Sequence, residues 1–239
     1  MLRIENTEVL GWEASIRGMR NPKNSWEKSD SEFHREPKHY FDEKDMPCTD
    51  LRRFVLGPND LDLMKRLRNA GTDHRKFMRM ITVYVDILAP LYWWKEFDTY
   101  KVGTVANSCS TMHKLPDKEF TLEDFSCEHL DEYREHVIFA PTEYHFSSLD
   151  LLKLEIEVLN QCRKNYLERK AKSDWWQMIQ LLPSSYNQRR TVQMNYEVLA
   201  NIYKSRRNHK LDEWNTFCDW IEGLPYSELI TGCGRCKRE

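Results

Sequence analysis

No stretch of the 239 residues approaches the roughly 18 consecutive apolar residues that a membrane-spanning helix requires. The opening MLRIENTEVL lacks the apolar centre of a secretory leader, so the sequence predicts neither a membrane partner nor export. Glycine is scarce, at 8 residues, and the glycine-built phosphate motifs are missing. There is no G-x-x-x-x-G-K-[ST] loop, no G-x-G-x-x-G after a strand and no G-x-S-x-G elbow, and H-E-x-x-H is also absent. An excess of one charge is lacking too: 36 Lys and Arg stand against 38 Asp and Glu, which argues against nucleic acid as a partner. Cysteine is present but odd in number, at 7. Without a leader, reduced thiols and a cytoplasmic location are expected. Cys233 and Cys236 form one C-x2-C pair with no second pair of ligands, so no metal is expected and residues 232–239 read as a flexible tail.

What is present describes a folded chain. Hydrophobic residues make up 40% and aromatics 12%, with 8 Trp, which excludes a disordered polypeptide. The length fits a single domain over 1–239. Residues 20–58 begin with a polar, proline-broken stretch and read as irregular. The near-neutral total hides an asymmetry: residues 117–157 carry 12 acids and 3 bases, whereas 163–210 carry 11 bases and 3 acids. The basic half is either a solvated face or one turned toward a phosphate-bearing ligand.

Periodicity predicts a short strand near 7–15 and a helix in GPNDLDLMKRLRNAG, with Asn59 or Asp60 as cap and Gly71 as stop. A further helical turn starts at Thr72 or Asp73, a strand covers 80–87, and a helix opens near Pro90. Thr121 with Asp124 reads as a capping box opening a helix over 121–136. Helices follow over 147–171, up to the stop at Pro183, over 188–206 and over 211–222. The class is α+β, a small sheet flanked by several long helices.

The last third, LLPSSYNQRRTVQMNYEVLANIYKSRRNHKLDEW, carries Leu182-Pro183, Thr191, Asn195, Asn201, Arg206, His209 and Glu213 in order. Eleven positions separate Asn195 from Arg206. This pattern resembles the flavin-dependent thymidylate synthases. The segment GTDHRKFMRMITVYV resembles that family's Gly-His…Glu-His segment, and VANSCSTMHKL, with Asn107 and Ser110, resembles the end of its Arg-His-Arg signature. The resemblance runs in order over about residues 8–222. It departs at the cations. The Arg-His-Arg falls on Thr99-Tyr100-Lys101 or on Tyr100-Lys101-Val102, later signature residues are Met112 and His113, and family arginines are replaced by Ile179 and Glu197. The Glu and His of the first segment become Phe77 and Met78.

The resemblance implies a homotetramer that binds a pyrimidine nucleotide and FAD, with methyl transfer to the nucleotide as the reaction. Its alternative is a non-catalytic nucleotide-holding protein on the same fold, for example one encoded by a phage. The nucleotide candidates are Lys101, Asn107, Ser110 and Arg206; the flavin candidates are Asn195, Asn201, Arg206 and His209. On one continuous helix Asn195 and Arg206 would share a face. Rebuilt phosphate contacts would come from Arg17, Arg20, Lys95, Lys101, Arg189, Arg190 and Arg206. Each candidate also has a plainer reading. Arg206 and Arg207 suit a helix C-terminus, Ser110 can cap a turn, paired Trp residues can fill a core, and His74 and His113 can be ordinary surface residues.

Overall fold

The structure, a computed structural model, describes residues 2–35, 52–139 and 143–232. Its strands are β1 (Arg3–Leu10), β2 (Glu32–Arg35), β3 (Arg52–Val55), β4 (Thr82–Pro90), β5 (Val105–Ser108), β6 (Glu135–Phe139), β7 (Glu143–Ser147) and β8 (Asn187–Asn195). Its helices are α1 (Trp12–Arg20), α2 (Pro58–Asn69), α3 (Leu91–Phe97), α4 (Ser148–Arg169), α5 (Lys172–Leu181), α6 (Tyr196–Arg206), α7 (Asp212–Glu222) and α8 (Glu228–Thr231). The chain divides into two units. The first takes in the residues up to Thr7, Tyr84–Gln193 and His209–Phe217; the second takes in Glu8–Val83, Met194–Asn208 and the chain from Cys218. No described helix is long and apolar enough to cross a membrane.

The main sheet has the order β1-β4-β8-β5, and in the first unit it displays one polar face. Period-two burial shows why. Val85, Ile87 and Ala89 of β4 are buried while Tyr84 is exposed; on β8, Gln188 and Val192 are buried while Arg189 and Thr191 are exposed. β5 pairs antiparallel with β8, setting Asn107 opposite Thr191. Trp93, Trp94 and Phe97 of α3 pack with Trp214 and Phe217 of α7, with the Trp93 ring 4.7 Å from Trp214 and 5.1 Å from Phe97. The indole N–H of Trp94 donates to Gln188 O (2.9 Å), so the burial leaves this donor satisfied. α4 opens with a Ser147–Asp150 capping box and turns Leu152, Ile156 and Leu159 inward, onto Phe120, Phe125 and Met178.

In the second unit Trp12 meets Tyr196 (5.4 Å) and Tyr226 (5.2 Å) edge-on, beside buried Phe77 and Met78. Gly11 precedes α1 at φ +93°, and a Cβ there would lie 2.1 Å from Met80 O. No other residue fits that corner. The buried Arg20 donates to Asp60 (2.7 Å) and to the carbonyls of Ser25 and Lys28. The other Asp60 oxygen accepts from the hydroxyls of Ser29 and Ser31, both at 2.7 Å, and from two backbone N–H groups.

Several elements differ from the sequence reading. The strand expected near 7–15 is β1 followed by α1, because Gly11 turns the chain between them. Gly57 caps α2, and Asp60 faces Arg20 instead. Gly71 does take a left-handed conformation, at φ +110°. The Thr121–Asp124 box is real but closes a single 3-10 turn, Leu122–Asp124, after which β6 and β7 form a hairpin. The helix expected over 188–206 is β8 followed by α6. Within the stretch read as irregular, β2 and β3 pair antiparallel. Cys233, Cys236 and the tail expected to be flexible lie outside the described residues.

Candidate functional site

The first unit holds Lys101, Asn107, Ser110 and His209; the second holds Asn195, Asn201 and Arg206. Lys101 is exposed and lines a cavity of about 390 Å³ with Phe97, Asp98, Tyr100, Thr104 and Ala106. Among the described residues, the buried hydroxyl oxygen of Thr104 has no hydrogen-bond partner. Asn107 is exposed on β5, on the edge of the sheet. Opposite it, Thr191 donates its hydroxyl to Asp86 (2.6 Å), and Asn6 donates to the other Asp86 oxygen (2.9 Å). These two bonds hold the Asp86 carboxyl below its ordinary pKa. Ser110 Oγ accepts from the backbone N–H of His113 (3.0 Å) and Met112 (3.3 Å), so its lone pairs close its own turn. Trp175 fixes that turn from the side by donating to Met112 O (2.8 Å). His209 Nδ1 accepts from Leu211 N (3.2 Å), which leaves the ring proton on Nε2, 3.5 Å from Glu96.

Two of the four cations expected to supply phosphate contacts in this unit, Arg189 and Arg190, are paired with carboxylates. Arg189 meets Glu5 and Asp86. Arg190 donates to Asp98 (2.7 Å) and lies 4.2 Å over the Trp94 ring. In the second unit Arg20 is held in the Asp60 network, and Arg17 is exposed at the wall of a cavity of about 770 Å³ lined by Trp12, Phe33, Phe54 and Tyr226.

α6 changes the geometry expected of its three candidates. Asn195 is extended, at φ −130°, and its side-chain Oδ1 accepts from Val198 N (3.0 Å). It caps the helix and does not share a face with Arg206, because the helical periodicity begins only at Tyr196. Asn201 and Arg206 are five residues apart on α6, about 140° around its axis. Arg206 is half-buried at the last turn, and its neighbour Arg207 is paired with Asp219 (2.8 Å) and Glu222 (3.2 Å).

Two residues that the sequence reading did not select stand beside Asn201. Arg75 donates to Glu197 Oε1 (3.2 Å) and to Asn201 Oδ1 (3.4 Å). Arg79 donates Nε to Glu197 Oε2 and Nη2 to Oε1 (3.4 Å). Their signal was the spacing: two arginines four apart on the 3-10 turn Arg75–Met80, flanking the buried Phe77 and Met78. Two guanidiniums share one carboxylate, with Asp73 also acting on Arg79, and their donor set fits an acceptor-rich ligand. Among the described residues no group of three or more His, Cys, Asp or Glu is placed to hold a metal.

Neither a family model nor a curated protein sequence matches the chain. Solved structures do. Thymidylate synthase X from Helicobacter pylori, crystallised with FAD and dUMP, superposes with a TM-score of 0.62 at 16% identity, covering 98% of this chain and 99% of that one. A second structure of that enzyme with the same ligands also gives 0.62, at 15% identity, covering 98% and 100%. The UMP/dUMP methylase PolB from Streptomyces cacaoi, bound to 5-Br UMP, gives 0.58 at 12% identity over 97% and 95%. With nearly every residue of both partners covered, the chain has the fold of the flavin-dependent thymidylate synthases.

Proposed function

We propose that this protein binds a pyrimidine nucleotide, with FAD as its cofactor, and acts on the nucleotide by flavin-dependent methyl transfer. The observation that carries the reading is the end-to-end likeness to two proteins crystallised with uridylates, one of them also with FAD. The donor-rich region around Asn201 supports it. There Arg75 donates to the side-chain oxygen of Asn201, which leaves the amide N–H2 as a donor. Asn107 offers both a donor and an acceptor at the sheet edge, a pattern suited to a pyrimidine's carbonyl and N–H. Lys101 in the first unit and Arg206 in the second are each candidate cationic contacts in this reading, and Asn195 stiffens the start of α6. His209 presents a fixed Nε2–H whose orientation is set by Leu211 and Glu96. A bound flavin supplies the hydride and one-carbon chemistry; the chain binds, orients and excludes water. The working form in this reading is a cytoplasmic homotetramer.

A second reading keeps the binding and drops the turnover. It is favoured by the commitment of Arg189 and Arg190 to carboxylates and by the burial of Phe77 and Met78, where the resemblance implies polar groups. Titration of the purified chain with FAD and with UMP or dUMP separates the readings. Saturable binding of both, with a flavin absorbance band near ~450 nm, supports the first, because the flavin carries the chemistry. Stabilisation by the nucleotide alone supports the second. No response to either ligand removes both.

A further inference from the structure

The Arg75–Arg79–Glu197–Asn201 cluster differs from an ordinary surface ion pair in three respects. Its carboxylate is nearly buried, with 12% of the Glu197 side chain exposed, and both of its oxygens already accept from guanidiniums. The only other acceptor in the group, Asn201 Oδ1, is taken by Arg75. The groups of the cluster not engaged within it are donors: Nη1 of both arginines and the Asn201 amide. Arg79 is 54% exposed while being held in place from one side, so its free edge is oriented without being covered. Two arginines share one carboxylate, with the Asp73 carboxylate acting on Arg79 from farther off, and their remaining N–H donors match a group carrying several anionic oxygens. Glu197 lies in the first turn of α6, where the helix dipole favours a carboxylate, at a position where the resemblance implies arginine. The positive charge has moved across to the 3-10 turn, and Glu197 serves to aim it.

We propose that Arg75 and Arg79, aimed by Glu197 and flanked by the Asn201 amide, form a clamp for a phosphoryl group. The inference rests on the nucleotide reading above and names the part of the ligand that this cluster takes. The phosphoryl group belongs either to the uridylate or to the flavin diphosphate, and the same experiment assigns it. Affinities of the full-length protein for UMP, FAD and riboflavin are measured in parallel for wild type, Arg79→Met, Arg79→Lys and Glu197→Gln.

The clamp predicts that Arg79→Met weakens FAD or UMP at least tenfold, and that Arg79→Lys loses less. The ligand that weakens is the one whose phosphoryl is held. Riboflavin, which has no phosphate, binds each variant as it binds wild type. Glu197→Gln, which removes the carboxylate that aims both guanidiniums, weakens phosphoryl binding as well as lowering thermal stability. A merely structural ion pair gives the opposite: stability falls in every variant and phosphoryl affinity stays where it was. Wild-type binding of FAD or UMP with Arg79→Met unchanged overturns the clamp and leaves the nucleotide reading standing. Wild type that binds neither ligand overturns both.

Discussion

Two arginine–carboxylate networks in the second unit use the same chemical groups for different ends. Arg20 and Asp60 are closed in: their side chains are 4% and 0% exposed, and the Asp60 oxygens accept from a guanidinium, two hydroxyls and two backbone N–H groups. Arg20 in turn reaches the carbonyls of Ser25 and Lys28. Charge and hydrogen bonds balance inside the network, so nothing remains for a ligand, and its role is to lock residues 25–31 onto α2. Arg75, Arg79 and Glu197 are more open: Arg79 is 54% exposed, and its two-arginine cluster shares one carboxylate, with Asp73 acting on Arg79 from farther off. Burial separates a structural network from an available one, although residue type does not.

The largest expected effect comes from breaking the closed network. Asp60→Asn leaves a buried guanidinium without its anion and should cost about 3–5 kcal/mol of folding stability in denaturant unfolding. The next is its pH dependence. Burial by itself would raise the Asp60 pKa, but the hydroxyls of Ser31 and Ser29 and the Arg20 guanidinium outweigh it and hold the carboxyl below its ordinary value. A lowered folded pKa means that the stabilisation is fully present above the unfolded value of about 4 and is lost as the pH falls through the folded value. Thermal melts between neutral and acidic pH should therefore fall more steeply for wild type than for Asp60→Asn. Equal slopes would show that this carboxylate does not control the acid limb.

The open network should respond the other way. Arg79→Met removes a half-exposed pair and should change stability by no more than about 1 kcal/mol, while its effect appears in ligand affinity. The smallest effect is expected at Ser110→Ala. Its hydroxyl closes a local turn, so a loss of about 0.5–1 kcal/mol with unchanged nucleotide affinity is predicted. A tenfold loss of affinity in that variant would return Ser110 to the ligand contacts.

Much of the helical framework was legible because it obeys local rules. α4 shows a clean inward stripe at Leu152, Ile156 and Leu159, α5 ends just ahead of Pro183, and β4 alternates. The misread segments show where local rules stop. Thr121 and Asp124 form the same box as Ser147 and Asp150. Yet the first closes one turn because Phe120 and Phe125 are drawn into the core with α4 and Phe125 bridges to Tyr186, whereas the second opens 22 residues of helix. Asn187–Asn195 alternates in burial, but its run into α6 without a turn residue made one helix of the two elements. That error put Asn195 and Arg206 on a shared face that does not exist. The family resemblance carried the fold, which solved neighbours bear out at 12–16% identity. Arg75 and Arg79 stayed hidden because their partner is more than a hundred residues away in sequence, at Glu197, and only the fold brings them together.

The central claim is that this scaffold still takes a uridylate. Isothermal titration of the full-length protein with UMP and with dUMP tests it directly. The account predicts saturable heat for at least one of them, at one site per chain, together with a rise in melting temperature that follows occupancy. A flat titration up to about 1 mM of either nucleotide, corresponding to binding weaker than about 4 kcal/mol, would contradict it.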